Sequence, residues 1–192
     1  MSSRHLPSSS YTGFAMAHNP GLHNTLIRET KLVTSPHQEA GIPQTYDDLF
    51  IVIKNLKSYL ASGSLSLKLY CNNDTTAGNY FHTAFYQQTT TENSVGGPGS
   101  VISSIPGTNG VTGAYITIWM PDYAGATSNQ QMKSASADPN NTSMANHVGI
   151  YQRHHYSLWK TSAAVHTLTF TCDWGFRPEH RLFIYGVSYN RP

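Results

Sequence analysis

Charge is what this chain has least of. Lys and Arg number 12 and Asp and Glu 10, together 11% of 192 residues with a net charge of +2, under half the roughly 25% of an ordinary soluble domain. The basic residues are scattered from Arg4 to Arg191, so no patch is available to displace counterions from phosphates, which argues against a nucleic-acid partner. No run approaches the ~18 apolar residues of a membrane-crossing helix, so no membrane partner is expected. The opening MSSRHLPSSSYTGFAMAHNPG lacks the basic and then apolar segments of a signal peptide, predicting a product kept in a cytoplasm until it is assembled or released. Two cysteines, Cys71 and Cys172, make no disulfide framework and read as small buried hydrophobes in strands.

Catalytic and ligand signatures are equally scarce. There is no G-x-S-x-G turn, no Cys with a plausible His in context, no G-x-G-x-x-G or Walker sequence, and no H-x-H, H-E-x-x-H or C-x-x-C spacing. His154 and His155 are adjacent, and on a strand they point to opposite faces, so one metal cannot take both. Glycosidase chemistry needs two carboxylates across a cleft, and the ten acids are spread through loops. The chain is therefore expected to have no enzymatic activity, no cofactor and no metal. The ten His would raise the charge from +2 to about +12 below pH ~6, although surface or strand His without a switching role is the plainer reading.

What is present is β pattern. Eight candidate strands begin after Tyr46: Asp48 to Leu56, Leu65 to Cys71, Asn79 to Gln88, Val101 to Ile105, Ala114 to Met120, Val148 to Trp159, Val165 to Trp174 and Arg181 to Tyr189. DLFIVIKNL is a continuous apolar run suited to a strand covered on both faces, whereas LSLKLYC alternates, with Leu65, Leu67 and Leu69 on one face. Turn clusters separate them: SGS at Ser62 to Ser64, NNDTTAG at Asn72 to Gly78, VGGPGS at Val95 to Ser100 and PGTNG at Pro106 to Gly110. The longest gap, Ala124 to Asn146, is nearly all small polar residues and reads as a functional or mobile loop. Short strands joined by loops of very unequal length predict an all-β, eight-stranded jelly-roll-like β-sandwich over 46–192, with an immunoglobulin-type sandwich as the rival.

Residues 1–45 carry Pro7, Pro20, Pro36 and Pro43 and apolar residues without period: Tyr11, Phe14, Met16, Leu22, Leu26, Ile27, Leu32 and Val33. LHNTLIRETKLV (Leu22 to Val33) could make one short helix or strand, but the segment is too apolar for a disordered tail and reads as an extended N-terminal arm that orders against a partner subunit. Elsewhere aromatics are dense, among them Tyr80, Phe81, Phe85, Tyr86, Tyr115, Trp119, Tyr123, Tyr151, Tyr156 and Trp159. Alternation assigns half to the core, and the rest suffice for one protein interface or one carbohydrate patch, with Tyr123, Tyr151 and Tyr156 the candidate surface aromatics.

The wording of the second half resembles a module of tailed-bacteriophage virion proteins, which include head decoration or cement proteins, head fibres and tail fibres. The residues that carry the resemblance are ITIWMPDYAG (Ile116 to Gly125), Lys133, Trp159, AAVHTLTF (Ala163 to Phe170) and LFIYGV (Leu182 to Val187), with LSLKLYCNNDTTAGNYF (Leu65 to Phe81) upstream. The PDY insertion, the His pair and the Asp173-Trp174-Gly175 turn depart from the pattern, and the arm lies outside it. The resemblance implies a virion protein, made in the host cytoplasm, that forms homotrimers and binds the major capsid protein or another virion protein, with residues 1–45 as the attachment arm. The alternative it implies is a tail or head fibre domain that binds a host receptor or surface glycan.

Overall fold

In a computed structural model the described residues are 22–57, 64–88, 91–106, 113–138, 151–173 and 175–189. They form β1 (Leu22–Lys31), β2 (His37–Ala40), β3 (Asp48–Leu56), β4 (Ser64–Cys71), β5 (Tyr80–Gln88), β6 (Thr91–Pro98), β7 (Val101–Pro106), β8 (Ala114–Met120), β9 (Gln130–Asp138), β10 (Tyr151–Trp159), β11 (Thr167–Cys172) and β12 (Arg181–Tyr189), with a turn of 3-10 helix at Ala77–Asn79. A large sheet has the order β1-β12-β3-β8-β9-β10-β5-β6 and a small one β2-β11-β4-β7, and every pairing in both is antiparallel. The chain is thus the all-β, jelly-roll-like sandwich that its pattern predicts, passing repeatedly from one sheet to the other.

The core lies between the sheets. Leu49, Ile51 and Ile53 of β3, Ile116, Ile118 and Met120 of β8, and Leu182 and Ile184 of β12 pack with Leu67, Leu69 and Cys71 of β4, Ile102 of β7, and Leu168, Phe170 and Cys172 of β11. Each such aliphatic or aromatic side chain contributes roughly 1.5–3 kcal/mol by leaving water. Gly186 of β12 has a packing reason to be glycine: a Cβ there would sit 2.2 Å from the ring of Tyr46. Cys71 pairs with Leu168 and Cys172 with Leu67, so four rungs, roughly 13 Å, separate the thiols. Both are buried without a disulfide, as that distance requires.

The expected boundary at residue 45 does not coincide with a break in the fold. β1 pairs with β12 from Leu22↔Tyr189 to Lys31↔Arg181, and β2 pairs with β11, so residues 22–45 extend both sheets of their own chain. Leu32 is wholly buried in the core, and Ile27 packs against it. Arg28 of β1 meets the buried carboxylate of Glu39 of β2 at 3.3 Å, and Ser35 Oγ donates to the Cys172 carbonyl while accepting from its N–H at 3.0 Å. The remainder of the arm, with Tyr11, Phe14 and Met16, lies outside the described residues, as do the Ser62 and Gly63 part of the SGS turn and residues 107–110 of PGTNG.

Two further strands occupy segments that read as turn and loop. β6 spans most of VGGPGS and pairs with β5. The supposed polar loop contains β9, which sits centrally between β8 and β10; residues 139–146 of that gap are outside the described set.

Candidate functional site

Side chains of the β4–β5, β8–β9 and β10–β11 connections tie these loops to the sandwich. Asp74, in the β4–β5 connection, accepts hydrogen bonds from Trp159 Nε1 (2.8 Å), Asn79 Nδ2 (2.8 Å) and the Thr76 N–H (3.0 Å). The Trp159 bond is the main reason its carboxyl titrates below the ordinary value. Asn72 Oδ1 accepts the His166 and Thr167 N–H groups while its Nδ2 donates to the Ala164 carbonyl, clamping the β10–β11 connection. Tyr80 accepts the Cys71 N–H at 2.9 Å and stacks on Trp159. Tyr123 is buried and donates to the Pro43 carbonyl, and its own carbonyl receives the Val165 N–H at 2.8 Å. A motif made of such clamps specifies how loops are tied to the sandwich, and Tyr123 is corrected from surface-binding aromatic to core residue.

Side chains free to meet a partner gather on the outer face of the large sheet. Strand pairing sets Tyr185, Phe50, Trp119, Lys133, Tyr156 and Thr83 on one rung across β12, β3, β8, β9, β10 and β5, with Phe183, Val52, Thr117, Ala135, His154 and Phe85 on the next. Phe81, Phe85, Tyr115 and Tyr156 are 45–50% exposed, a concentration of apolar surface that isolated soluble domains seldom leave uncovered. Phe85 meets Tyr156 edge-on at 6.1 Å and Phe50 lies 6.0 Å from Trp119. Lys54 Nζ sits 4.8 Å from the centre of the Phe183 ring, a cation–π contact.

β9 shapes this face. Its outward residues Lys133, Ala135 and Ala137 are flanked by the larger side chains of β8 and β10, which leaves two depressions. One, of about 200 Å³, is lined by Phe81, Thr83, Gln131, Lys133, Tyr156 and Leu158. The other, of about 220 Å³, is lined by Tyr115, Thr117, Ala135, Ala137 and His154. Of the expected surface residues Tyr156 is exposed on this face, while the side chain of Tyr151 lies outside the described set. Of the expected arm, Leu26 is exposed and pairs with Tyr185 at the β1 end of the first rung, Val33 is exposed in the β1–β2 connection, and only the backbone of Leu22 is described.

Among the described residues no three His, Cys, Asp or Glu side chains gather as a metal site. Burial, aided by Asp74, pushes the Cys71 thiol up to about 12, where it is no nucleophile. Burial likewise lowers His180 to about 4. Its Nδ1 accepts the Arg177 N–H at 3.0 Å, fixing a neutral ring protonated on Nε2, so the longer 3.4 Å approach of the Lys57 N–H to Nε2 is a contact and not a second bond. No protein-family model, no curated protein and no solved structure matches this chain.

Proposed function

We propose that this chain is a structural protein of a bacteriophage virion, a decoration or cement protein that binds and stabilises the shell of major capsid protein. In this reading it self-associates, as a trimer, through the outer face of its large sheet. The observation that carries the proposal is that face: four large apolar side chains half exposed on one continuous surface of a chain with only 11% charged residues. The resemblance of residues 46–189 to phage virion modules supports the same reading. The attachment role expected of the whole arm now falls on residues 1–21 and on the sandwich surface, because residues 22–45 belong to the two sheets.

The test is the oligomeric state of purified protein. Sedimentation of the wild type is expected to give a trimer, and Tyr156→Ala combined with Phe85→Ala to give monomers with an unchanged circular dichroism spectrum, since truncating half-exposed side chains leaves the core intact. A wild type that is monomeric at every concentration, or a double variant that assembles like the wild type, contradicts the proposal.

A second reading, a fibre-tip domain that binds a host surface glycan, is favoured by the polar rims of the two depressions. Gln131, Lys133 and Thr83 beside Phe81 and Tyr156 offer hydrogen bonds next to rings on which a sugar can stack. Wild-type binding on a glycan array that Tyr156→Ala abolishes would select this reading over the first.

A further inference from the structure

Away from the aromatic face, the interior of the large sheet contains an unusual polar cluster under β7. His155 is 3% exposed and shares a rung with Ser134 of β9 and Ala84 of β5. Neither of its ring nitrogens has a hydrogen-bond partner among the described residues, nor has Nδ1 of His82 or Oγ of Ser100. Buried polar atoms are nearly always satisfied, so the unpartnered His155 ring with His82 as its neighbour marks a site that is held at a cost.

The fastening of β7 surrounds this site. Ser134 Oγ donates to the Ile102 carbonyl and Ser157 Oγ to the Val101 carbonyl, and His155 lies between those two serines, opposite the one and two residues from the other. β7 is an edge strand of the small sheet, paired only with β4. If the serines let go, that single ladder to β4 is the backbone pairing left to hold it.

Among the described residues a proton on His155 would have no anionic group to balance it. From its own strand the neighbouring charged or titratable groups are Arg153 and His154, and from β5 His82; all are cationic when charged. The facing groups from β9 are Ser134 and Ser136 and from β7 Val101 and Ile102, none of which titrates. We propose that this cluster is an acid-operated latch, in which the serines hold β7 on the large sheet at neutral pH and protonation of His155 on acidification releases β7 while the rest of the sandwich stays closed.

The direction of the effect follows from linkage. Burial, with Arg153 second, lowers the His155 imidazole to about 4, whereas a ring released to water takes up its proton near 6.5. The closed state is therefore unaffected above pH 6.5, loses ground as pH falls from 6.5 to 4 because the open state binds the extra proton, and changes no further below 4. His180 titrates in the same window but lies at the end of the β11–β12 connection, so the location of opening separates the two.

Hydrogen–deuterium exchange of the full chain at pH 7.5 and 4.5, corrected for intrinsic rates, tests the proposal. Protection in β7 is expected to fall at least tenfold more than in β3 and β12 on acidification, and His155→Phe, which cannot be protonated, is expected to abolish that excess. If Phe does not fit, His155→Leu serves. An NMR titration of wild-type imidazoles is independent of either variant. Equal losses of protection across all strands, an excess loss at β7 that persists in the variants, or a His155 ring that titrates near 6.5 while β7 stays protected would each overturn the latch.

Discussion

Leu67 sits wholly buried at the middle of β4, paired with Cys172 on one side and Ser103 on the other. Leu67→Ala is expected to cost roughly 2–5 kcal/mol in denaturant unfolding, the transfer loss plus an unfilled cavity. A loss below about 1 kcal/mol would mean that β4 presents its other face to the core. This residue could be placed from the sequence because period-two alternation in LSLKLYC leaves one reading. Tyr123 could not, for its burial depends on the Pro43 carbonyl 80 positions away, and nothing local to PDYAG separates a tyrosine that faces water from one that reaches across the sandwich. His154 and His155 fall on opposite faces, exposed and buried, as strand geometry demands.

At the scale of elements, eight strands were legible, β1 was left open as a short helix or strand, and three were not legible, each for a physical reason. β1 has a register shift between Leu26 and Arg28, which puts Leu26 and Ile27 out of step and breaks the alternation that would have marked a strand. β2 has only four residues. β6 ends in Val-Gly-Gly-Pro, whose glycines and proline signal a turn, and Pro is tolerated because β6 is an edge. In β9 the buried positions include Gln130, Ser134 and Ser136, with Ser134 satisfied by a β7 carbonyl and Gln130 by that of Gly125. An inward face made polar in this way has no hydrophobic period, and the trough it creates on the outer face was hidden with it.

The pairing of β1 makes a claim about truncation. A chain lacking residues 1–31 loses the packing of Ile27, up to roughly 3 kcal/mol, and uncovers the edge of β12, whose unpaired backbone invites strand addition from another molecule. Its melting temperature is expected to drop by several degrees, with concentration-dependent association seen in light scattering. Unchanged melting and a monodisperse truncated chain would show that β1 contributes nothing to the fold.

For the whole molecule, the low charge and the aromatic sheet face belong together. A surface of Ser, Thr, Asn and Gln keeps a charge-poor sandwich hydrated, and the broad apolar area on the outer face of the large sheet is then a place where a neighbour fits. The acid latch lies on the opposite side of the same sheet, so β9 and β10 present one set of side chains to a partner and the other to β7. Protection of β7 and occupancy of the aromatic face are read out separately, which keeps the two proposals independent.

A cryo-EM map of the phage particle to which the proposed function assigns this chain tests the central claim most directly. Density for the sandwich is expected at symmetric positions on the capsid, with Phe81, Phe85, Tyr115 and Tyr156 turned against a neighbouring subunit. A particle without the chain, or a chain whose large sheet faces solvent at every copy, would contradict it.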